Sequence, residues 1–501
     1  MTESSKSYGR ILKASSIVGG AQAINMIIGM VRTKFVAVLL GPAGVGLMGT
    51  YLSITGLIGS MSGLGINSSG VREVAEASGT GDAEKVGRTI LTLRRMVWLT
   101  GCVGALVMLL GAVPLSRYTF DDTGHAVPIM FLAITIFFQA IQGGQMALIQ
   151  GMRRIGDLAR INVLGSFVGT AISIALYLWL GMEGIVPALI AMAVFNLGTS
   201  WWFARKIPVP RVEMSWRESF RQTGGLVNLG VAMMWASLVA AFVAYLARAL
   251  IAQDIGIEAV GVFQAAFSLS GMFINFVLGA MGADFYPSLT AVSGDDEKMC
   301  KLVNEQTEIG LLLAVPGLIA TIVLAPWVIQ IFYTGAFSQA ADLLRWFVFG
   351  CLGRVVSWPM GFIMLAKGES RLFLVTETIF GLTHVALLWV GLKVFGLTGV
   401  AMAFMALYVL YTLGMLLVSH HLIDFCWSKG VVGLLAILFP VALVTLLSSL
   451  LLAVIPATII GFAICLIVCV YCLRQLGKRL GLSHRICRMV RKVPGGECVL
   501  E

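Results

Sequence analysis

Long runs of apolar residues, separated by short segments rich in glycine, proline and charge, cover most of the chain. The runs are long enough to cross a bilayer as α-helices, which needs about 20 residues each. We therefore predict an all-α polytopic membrane protein with about fourteen transmembrane helices. The predicted spans are 15–40, 44–66, 92–113, 126–149, 161–180, 184–204, 223–252, 258–283, 308–332, 341–366, 373–394, 397–419, 430–453 and 456–473.

Charged residues deep inside these spans are few, and two of them are arginines at matching places. Arg32 lies in the first span, with Lys34 just beyond it, and Arg248 lies in the seventh. A cation at the centre of a membrane helix costs about 2.5–3.5 kcal/mol, so a charge that recurs in this way indicates a function. The alternative is that both side chains snorkel to the headgroups, since Arg32 precedes the next turn closely.

Amides recur at helical spacing within several spans. On the first span Gln22, Asn25 and Arg32 share one face, and Gln264 and Asn275 do so on the eighth. Amides facing lipid would be unsatisfied, so they face protein or a wet cavity. Helix–helix contacts are the other interpretation. The candidate cavity-lining residues are Gln22, Asn25, Gln139, Gln142, Gln264 and Asn275.

The second part of the chain repeats the first at an offset of about 215 residues. GPAGVGL from Gly41 matches GIEAVGV from Gly256, and GDAEK from Gly81 matches GDDEK from Gly294. A third match relates GMEGI from Gly181 to GLTGV from Gly396. Because six spans is an even number, the two lobes have the same orientation, with a central cavity between them. The predicted divisions are an N-lobe at 1–204, a cytoplasmic linker at 205–222, a C-lobe at 223–421, two further spans at 422–473 and a basic tail at 474–501.

Composition and charge agree with this picture. Hydrophobic residues make up 58% of the chain and charged ones 12%, which excludes a soluble domain. Most of the 35 lysines and arginines fall in the N-terminal segment, the loops after even-numbered spans and the tail, so the positive-inside rule places both termini in the cytoplasm. This bias and anionic lipid account for the net charge of +10 without a nucleic-acid partner.

Three more ionisable residues inside the predicted spans are candidates for a function. Arg354 is near the middle of the tenth span, and Glu377 and His384 share a face of the eleventh. A buried carboxylate can carry a proton through a transport cycle, so Glu377 and His384 are candidates for ion coupling. An ion pair with an arginine, or a position close to the cytoplasmic interface, explains Glu377 equally well.

The stretch from Lys34 to Leu64, with its Gly-Pro-Ala-Gly-x-Gly turn, resembles the polysaccharide transporter branch of the multidrug/oligosaccharidyl-lipid/polysaccharide exporter superfamily. The layout of the spans resembles that superfamily over the whole chain. The resemblance implies a flippase that moves an undecaprenyl-pyrophosphate-linked oligosaccharide, such as an O-antigen unit, across the bacterial inner membrane by alternating access. It also implies membrane lipids, a polysaccharide polymerase and a chain-length regulator as partners.

Arginines suit a pyrophosphate, since they offer several donors and a permanent charge. On this hypothesis Arg32 and Arg248 bind the head group from opposite lobes, with Lys34 and Arg354 assisting.

Two other functions are compatible with a polytopic protein of this kind. A multidrug exporter of the same superfamily commonly has an acidic residue in an early span, whereas the first six predicted spans here contain only cations and amides. A membrane enzyme acting on lipid-linked sugars would need a larger outward loop than Pro114 to His125, which contains no catalytic constellation. We therefore predict no enzymatic activity, no metal ion and no cofactor.

Overall fold

A computed structural model describes residues 3–63, 65–210 and 212–480, and the regular secondary structure of these residues is helical. Two short 3₁₀ turns, Gly181–Gly184 and Gly335–Phe337, join longer helices. The α-helices are α1 (Glu3–Gly63), α2 (Ile66–Gly79), α3 (Ala83–Phe120), α4 (Ala126–Gly151), α5 (Ile155–Leu180), α6 (Ile185–Ala204), α7 (Trp216–Asp254), α8 (Ile257–Ala291), α9 (Asp296–Phe332), α10 (Ala340–Lys367), α11 (Ser370–Ile423), α12 (Lys429–Leu451) and α13 (Val454–Leu480).

Within the described residues, 11 helical stretches are long and apolar enough to cross a membrane. Three of these stretches contain two crossings each, which gives the fourteen helices predicted from the sequence. In each of the three a glycine with positive φ breaks the helix: Gly41 (φ 63) in α1, Gly181 (φ 58) between α5 and α6, and Gly396 (φ 60) in α11. Only glycine adopts such a φ without strain. The predicted all-α polytopic fold is confirmed.

The repeat is visible in how two matching turns pack. Three residues after the turn glycine of α5–α6, Gly184 lies against the backbone carbonyl of Leu176. The equivalent Gly399 lies in the same way against the carbonyl of Gly391. A side chain on either glycine would overlap that oxygen, so both turns depend on close backbone approach.

The other matching turns contact each other. Gly46, in the second part of α1, faces the carbonyl of Ile257 at the start of α8, and Gly261 faces the carbonyl of Pro42. These four residues form two equivalent pairs at the repeat offset. Such reciprocal contacts are the mark of an approximate two-fold relation between two segments.

Several helices continue beyond the predicted spans at the basic ends. α3 begins at Ala83, where the side chain of Asp82 accepts hydrogen bonds from the backbone amides of Glu84 and Lys85. α7 begins at Trp216, and the hydroxyl of Ser215 accepts from the amide of Glu218. Capping by Asp and Ser satisfies amides that the first helical turn leaves free. Because α7 begins at Trp216, the irregular part of the predicted linker 205–222 ends at Ser215 and is shorter than expected.

The amphipathic helix α2 was not predicted. Its residues Ile66, Gly70, Val74 and Ala77 are buried at helical spacing, and they pack against α3 and α4. The same spacing is present in the sequence, but the segment is too short and too polar to be recognised as a span.

The described chain forms two compact units, the first comprising Met1–Gly261 with Phe332–Thr334 and the second Val262–Ile331 with the rest of the chain. α7, which the repeat assigns to the C-lobe, lies in the first unit because it packs against α1, α2 and α3. The predicted domain limits remain predictions. Of the predicted tail 474–501, the part from 481 onwards lies outside the described residues.

In the second unit, a polar cluster fixes the C-terminal helices α12 and α13 to α9. The Glu308 carboxylate accepts a hydrogen bond from Ser428 (3.0 Å) and pairs with Arg479 (2.7 Å between Nε and Oε2). Asn304 donates to the carbonyl of Cys426 and accepts from the amide of Ser428. The pair of helices outside the repeat is therefore an integral part of this unit.

Candidate transport site

In the first unit, Arg248 is the most deeply enclosed of the predicted cations. It is 7% exposed on α7, and its Nη1 donates to the carbonyl of Ala244 one turn earlier, at 2.5 Å. α7 packs against α1, the helix that carries Arg32. Its guanidinium is therefore enclosed by the helices of this unit and held by the backbone of its own helix.

Arg32 and Lys34 lie on α1 and are half-buried. The Lys34 ammonium donates to the backbone carbonyl of Tyr333, which follows α9 and belongs to the first unit. The prediction had Arg32 and Arg248 contributed by opposite lobes, whereas the structure places both on the first unit.

The amides of the first span differ in their surroundings. Gln22 is exposed, and Asn25 is half-buried with its Oδ1 atom enclosed and without a hydrogen-bond partner. A buried acceptor in this state favours a donor from a ligand or water. Of the two amides, Asn25 is therefore the stronger candidate for contact with a ligand.

The glutamines of α4 differ in role: some remain candidates for a cavity lining, and one makes a helix–helix contact. Gln139 is exposed and Gln142 half-buried. Gln145, one turn further on, accepts a hydrogen bond from Ser200 of α6 at 2.5 Å and so joins two helices. Gln139 and Gln142 remain candidates for a cavity lining.

In the second unit, the amides of α8 are accessible. Gln264 is half-buried and donates from Nε2 to the hydroxyl of Ser268 at 2.8 Å. Asn275 is exposed on the same helix. A pair of polar side chains one turn apart offers both donors and acceptors to sugar hydroxyl groups.

Arg354 is half-buried on α10, in a helix that packs along α11. The Thr412 hydroxyl of α11 donates to the carbonyl of the preceding residue, Gly353, at 3.3 Å. This contact fixes the backbone from which Arg354 projects, so the position of its guanidinium depends on both helices.

Glu377 and His384 are half-buried in the first part of α11. The Tyr411 hydroxyl, in the second part of the same helix, donates to Oε1 of Glu377 at 3.2 Å. The His384 ring lies 6.2 Å from the ring of Phe404, between centroids. Both candidate coupling groups therefore face the returning half of α11, and Glu377 has a neutral hydroxyl as a hydrogen-bond partner.

Sequence reasoning missed the polar contacts at the basic end of the first unit. Arg95 of α3 donates to the carbonyls of Met214 (2.9 Å) and Ser215 (3.1 Å) and stacks over Trp216 at 4.8 Å. Arg88 pairs with Glu84 and with Glu218, each at 2.7 Å, and its hydrogen bond to Glu84 raises its pKa. These contacts attach the end of the linker and the start of α7 to α3.

At the opposite end, His125 precedes α4 and lies in an aromatic cluster that was also missed. Its Nδ1 is 2.9 Å from the Tyr51 hydroxyl, and its ring stacks on Phe120 at 3.9 Å between centroids. Burial lowers the pKa of His125, and the nearby charge of Asp122 opposes this shift. Tyr51 lies 74 residues away in the chain, and no local sequence pattern marks its contact with His125.

Comparison with known families shows to which family the chain belongs. It matches the polysaccharide biosynthesis protein family over residues 35–342, which is more than half of its length. The chain belongs to this family. The match begins at Phe35, just after Arg32 and Lys34, and it covers Arg248 and the glycine turn at Gly41.

Two curated proteins resemble the chain over most of their own length. The lipid III flippase of Escherichia coli (strain K12) is 24% identical over 378 residues, which cover 73% of this chain and 88% of that protein. The lipid III flippase of Shigella flexneri gives the same identity and coverage.

Solved structures agree on the fold. The lipid II flippase MurJ in an inward closed conformation superposes with a TM-score of 0.68 at 13% identity, covering 94% of this chain and 99% of that one. An inward-facing multidrug resistance MATE family transporter of the MOP superfamily gives 0.66 at 17% identity, covering 80% and 94%. The predicted resemblance to this superfamily is confirmed, and the chain has the fold of its transporters.

Proposed function

We propose that this protein is a flippase for a lipid-linked oligosaccharide. The observation that carries the proposal is the similarity to lipid III flippases over 88% of their length, in a chain of the polysaccharide biosynthesis family. More specifically, the substrate is an undecaprenyl-pyrophosphate-linked unit, an O-antigen or a related repeat, moved from the cytoplasmic to the periplasmic leaflet of the bacterial inner membrane. Both termini lie in the cytoplasm, as the distribution of lysine and arginine indicates.

The predicted cations supply the head-group contacts. A pyrophosphate carries negative charge that arginine can meet with several parallel donors, and enclosure strengthens such contacts. The cations proposed for this role are Arg32, Arg248, Lys34 and Arg354. The amides, Asn25 foremost, take the sugar hydroxyl groups.

Transport proceeds by alternating access, in which the head group passes through the protein while the lipid tail stays in the bilayer. A polysaccharide polymerase and a chain-length regulator act on the product. Membrane lipid surrounds the apolar helices and meets the basic loops.

The test is transport in proteoliposomes that contain a fluorescent polyprenyl-pyrophosphate oligosaccharide, read by chemical quenching of the outer leaflet. Arg32→Ala and Arg248→Ala should each slow flipping by about tenfold to a hundredfold, as expected for losing a hydrogen bond to a charged group. Arg371→Ala, an exposed arginine outside the predicted site, is the matched control and should flip at the wild-type rate.

Because Arg248 is buried, its variant is first checked for insertion and monodispersity, and Arg248→Lys serves as the variant that keeps the charge. The half-buried Arg32 carries the test if the Arg248 variants do not fold. Wild-type flipping in Arg32→Ala would contradict the assigned head-group site. Export of cationic dyes with no flipping of the lipid-linked sugar would contradict the proposed function.

A further inference from the structure

A cavity of about 640 Å³ lies within the first unit, between α3, α4 and α6. Its walls are largely apolar and include Leu93, Phe137, Ile141 and Val194. None of the residues assigned above to head-group binding lines it, since those of this unit lie on α1 and α7. The cavity is therefore separate from the proposed head-group site.

One end of the cavity is cationic and aromatic. Arg94 on α3 and Arg205 at the end of α6 line it, and both are exposed. The Arg205 guanidinium lies 3.5 Å above the Trp202 ring, between its Cζ and the ring centroid. Trp98 and Trp201, which also line the cavity, are each 53% exposed. Tryptophans that accompany basic residues at the ends of spans are typical of the headgroup level of a bilayer.

We propose that this cavity binds an anionic phospholipid from the leaflet on the protein's basic side. One acyl chain occupies the apolar part, and the headgroup phosphate lies between Arg94 and Arg205. Charge complementarity selects an anionic lipid over a zwitterionic one, because two exposed arginines meet the negative headgroup and the described lining residues include no carboxylate.

The bound lipid has a structural consequence. Arg205 is the first residue after α6 and begins the segment that Arg95 attaches to α3. A ligand that contacts both Arg94 and Arg205 therefore links α3 to the C-terminal end of α6, close to the contacts that Arg95 makes. A ligand that binds only the folded protein raises the free energy of unfolding, and it does so more strongly as the ligand concentration increases.

The test uses the full chain, purified in detergent, and titrates phosphatidylglycerol or phosphatidylcholine with identical acyl chains, counted by native mass spectrometry. The wild type should prefer phosphatidylglycerol. Arg94→Gln with Arg205→Gln should reduce that preference about thirtyfold, as expected from the loss of two cations at an anionic surface. Arg72→Gln with Arg371→Gln removes the same charge at exposed positions elsewhere and should retain the preference.

A second variant tests the apolar part independently of charge. Gly198 lines the cavity on α6, and a Cβ atom there meets no atom within 4 Å, so Gly198→Leu introduces an apolar side chain that starts in open space. It should weaken the binding of both lipids, whereas Gly433→Leu, at a glycine outside the cavity whose Cβ would also meet no atom within 4 Å, should not. An unchanged lipid preference in the double arginine variant, or unchanged binding in Gly198→Leu, would overturn the proposal.

Discussion

His125 lies outside the membrane spans, in surroundings that oppose its protonation. The Phe120 ring covers one face of its imidazole, and Nδ1 is within hydrogen-bond distance of the Tyr51 hydroxyl. Burial lowers its pKa from the ordinary 6.5. The folded protein therefore binds this proton less readily than the unfolded chain, so the contribution of His125 to stability is present above pH 6.5 and is lost as pH falls below it.

This sign gives a prediction for thermal unfolding. Between about pH 8 and about pH 5, the melting temperature of the wild type should fall more steeply than that of His125→Gln, which cannot take up the proton. Differential scanning fluorimetry of the two proteins in the same detergent measures the difference. His420→Gln, a change of the same type at a residue in the last turn of α11, should keep the wild-type slope. Parallel curves for wild type and His125→Gln would show that the cluster does not respond to pH.

At the scale of elements, the two repeated glycine turns contact each other through bare backbone. Gly46 and Gly261 each face a carbonyl oxygen of the other segment, at positions where a methyl group would overlap that oxygen. Carbonyl oxygens in helices have little freedom to move. The contact therefore limits both positions to glycine, although neither has a positive φ.

We expect Gly46→Ala and Gly261→Ala each to lower stability by about 1–3 kcal/mol, the usual cost of overpacking. Gly56→Ala, later in α1, meets open space and should be neutral or slightly stabilising, because alanine favours helix over glycine. Chemical or thermal unfolding in detergent measures the change in stability of these three variants relative to the wild type. Because the two contacts are reciprocal, the double variant should lose less than the sum of the single losses. Full additivity would contradict a shared contact.

The sequence predicts the helices far better than it predicts which helices and side chains contact one another. Span number, the glycine turns and the repeat follow from local patterns of apolar runs and glycine spacing, and all are seen in the structure. The placement of α7 in the first unit depends on contacts with three other helices, which no local pattern encodes. The partner of Glu377 is equally non-local, because Tyr411 lies beyond the break at Gly396.

At the scale of the whole molecule, the proposed head-group site accounts for the binding of an anionic group but not for the direction of its transport. A cycle coupled to an ion needs a group whose charge changes during transport. Glu377 is the predicted group, and its one described hydrogen bond comes from a neutral tyrosine across the α11 turn. Protonation of such a carboxylate alters a contact between the two halves of α11, so the proposed coupling acts on the hairpin that these halves form.

We therefore expect an imposed pH gradient to accelerate flipping by the wild type in proteoliposomes and to have no effect on Glu377→Gln. The variant keeps an acceptor for Tyr411 but cannot change its charge, so its flipping without a gradient should continue. Glu183→Gln, which neutralises an exposed carboxylate beside the turn between α5 and α6, is the matched control and should respond to the gradient as the wild type does. A wild type that ignores the gradient would rule out proton coupling, and a variant that still responds would assign the coupling to a group other than Glu377, of which His384 is the next to test by His384→Gln.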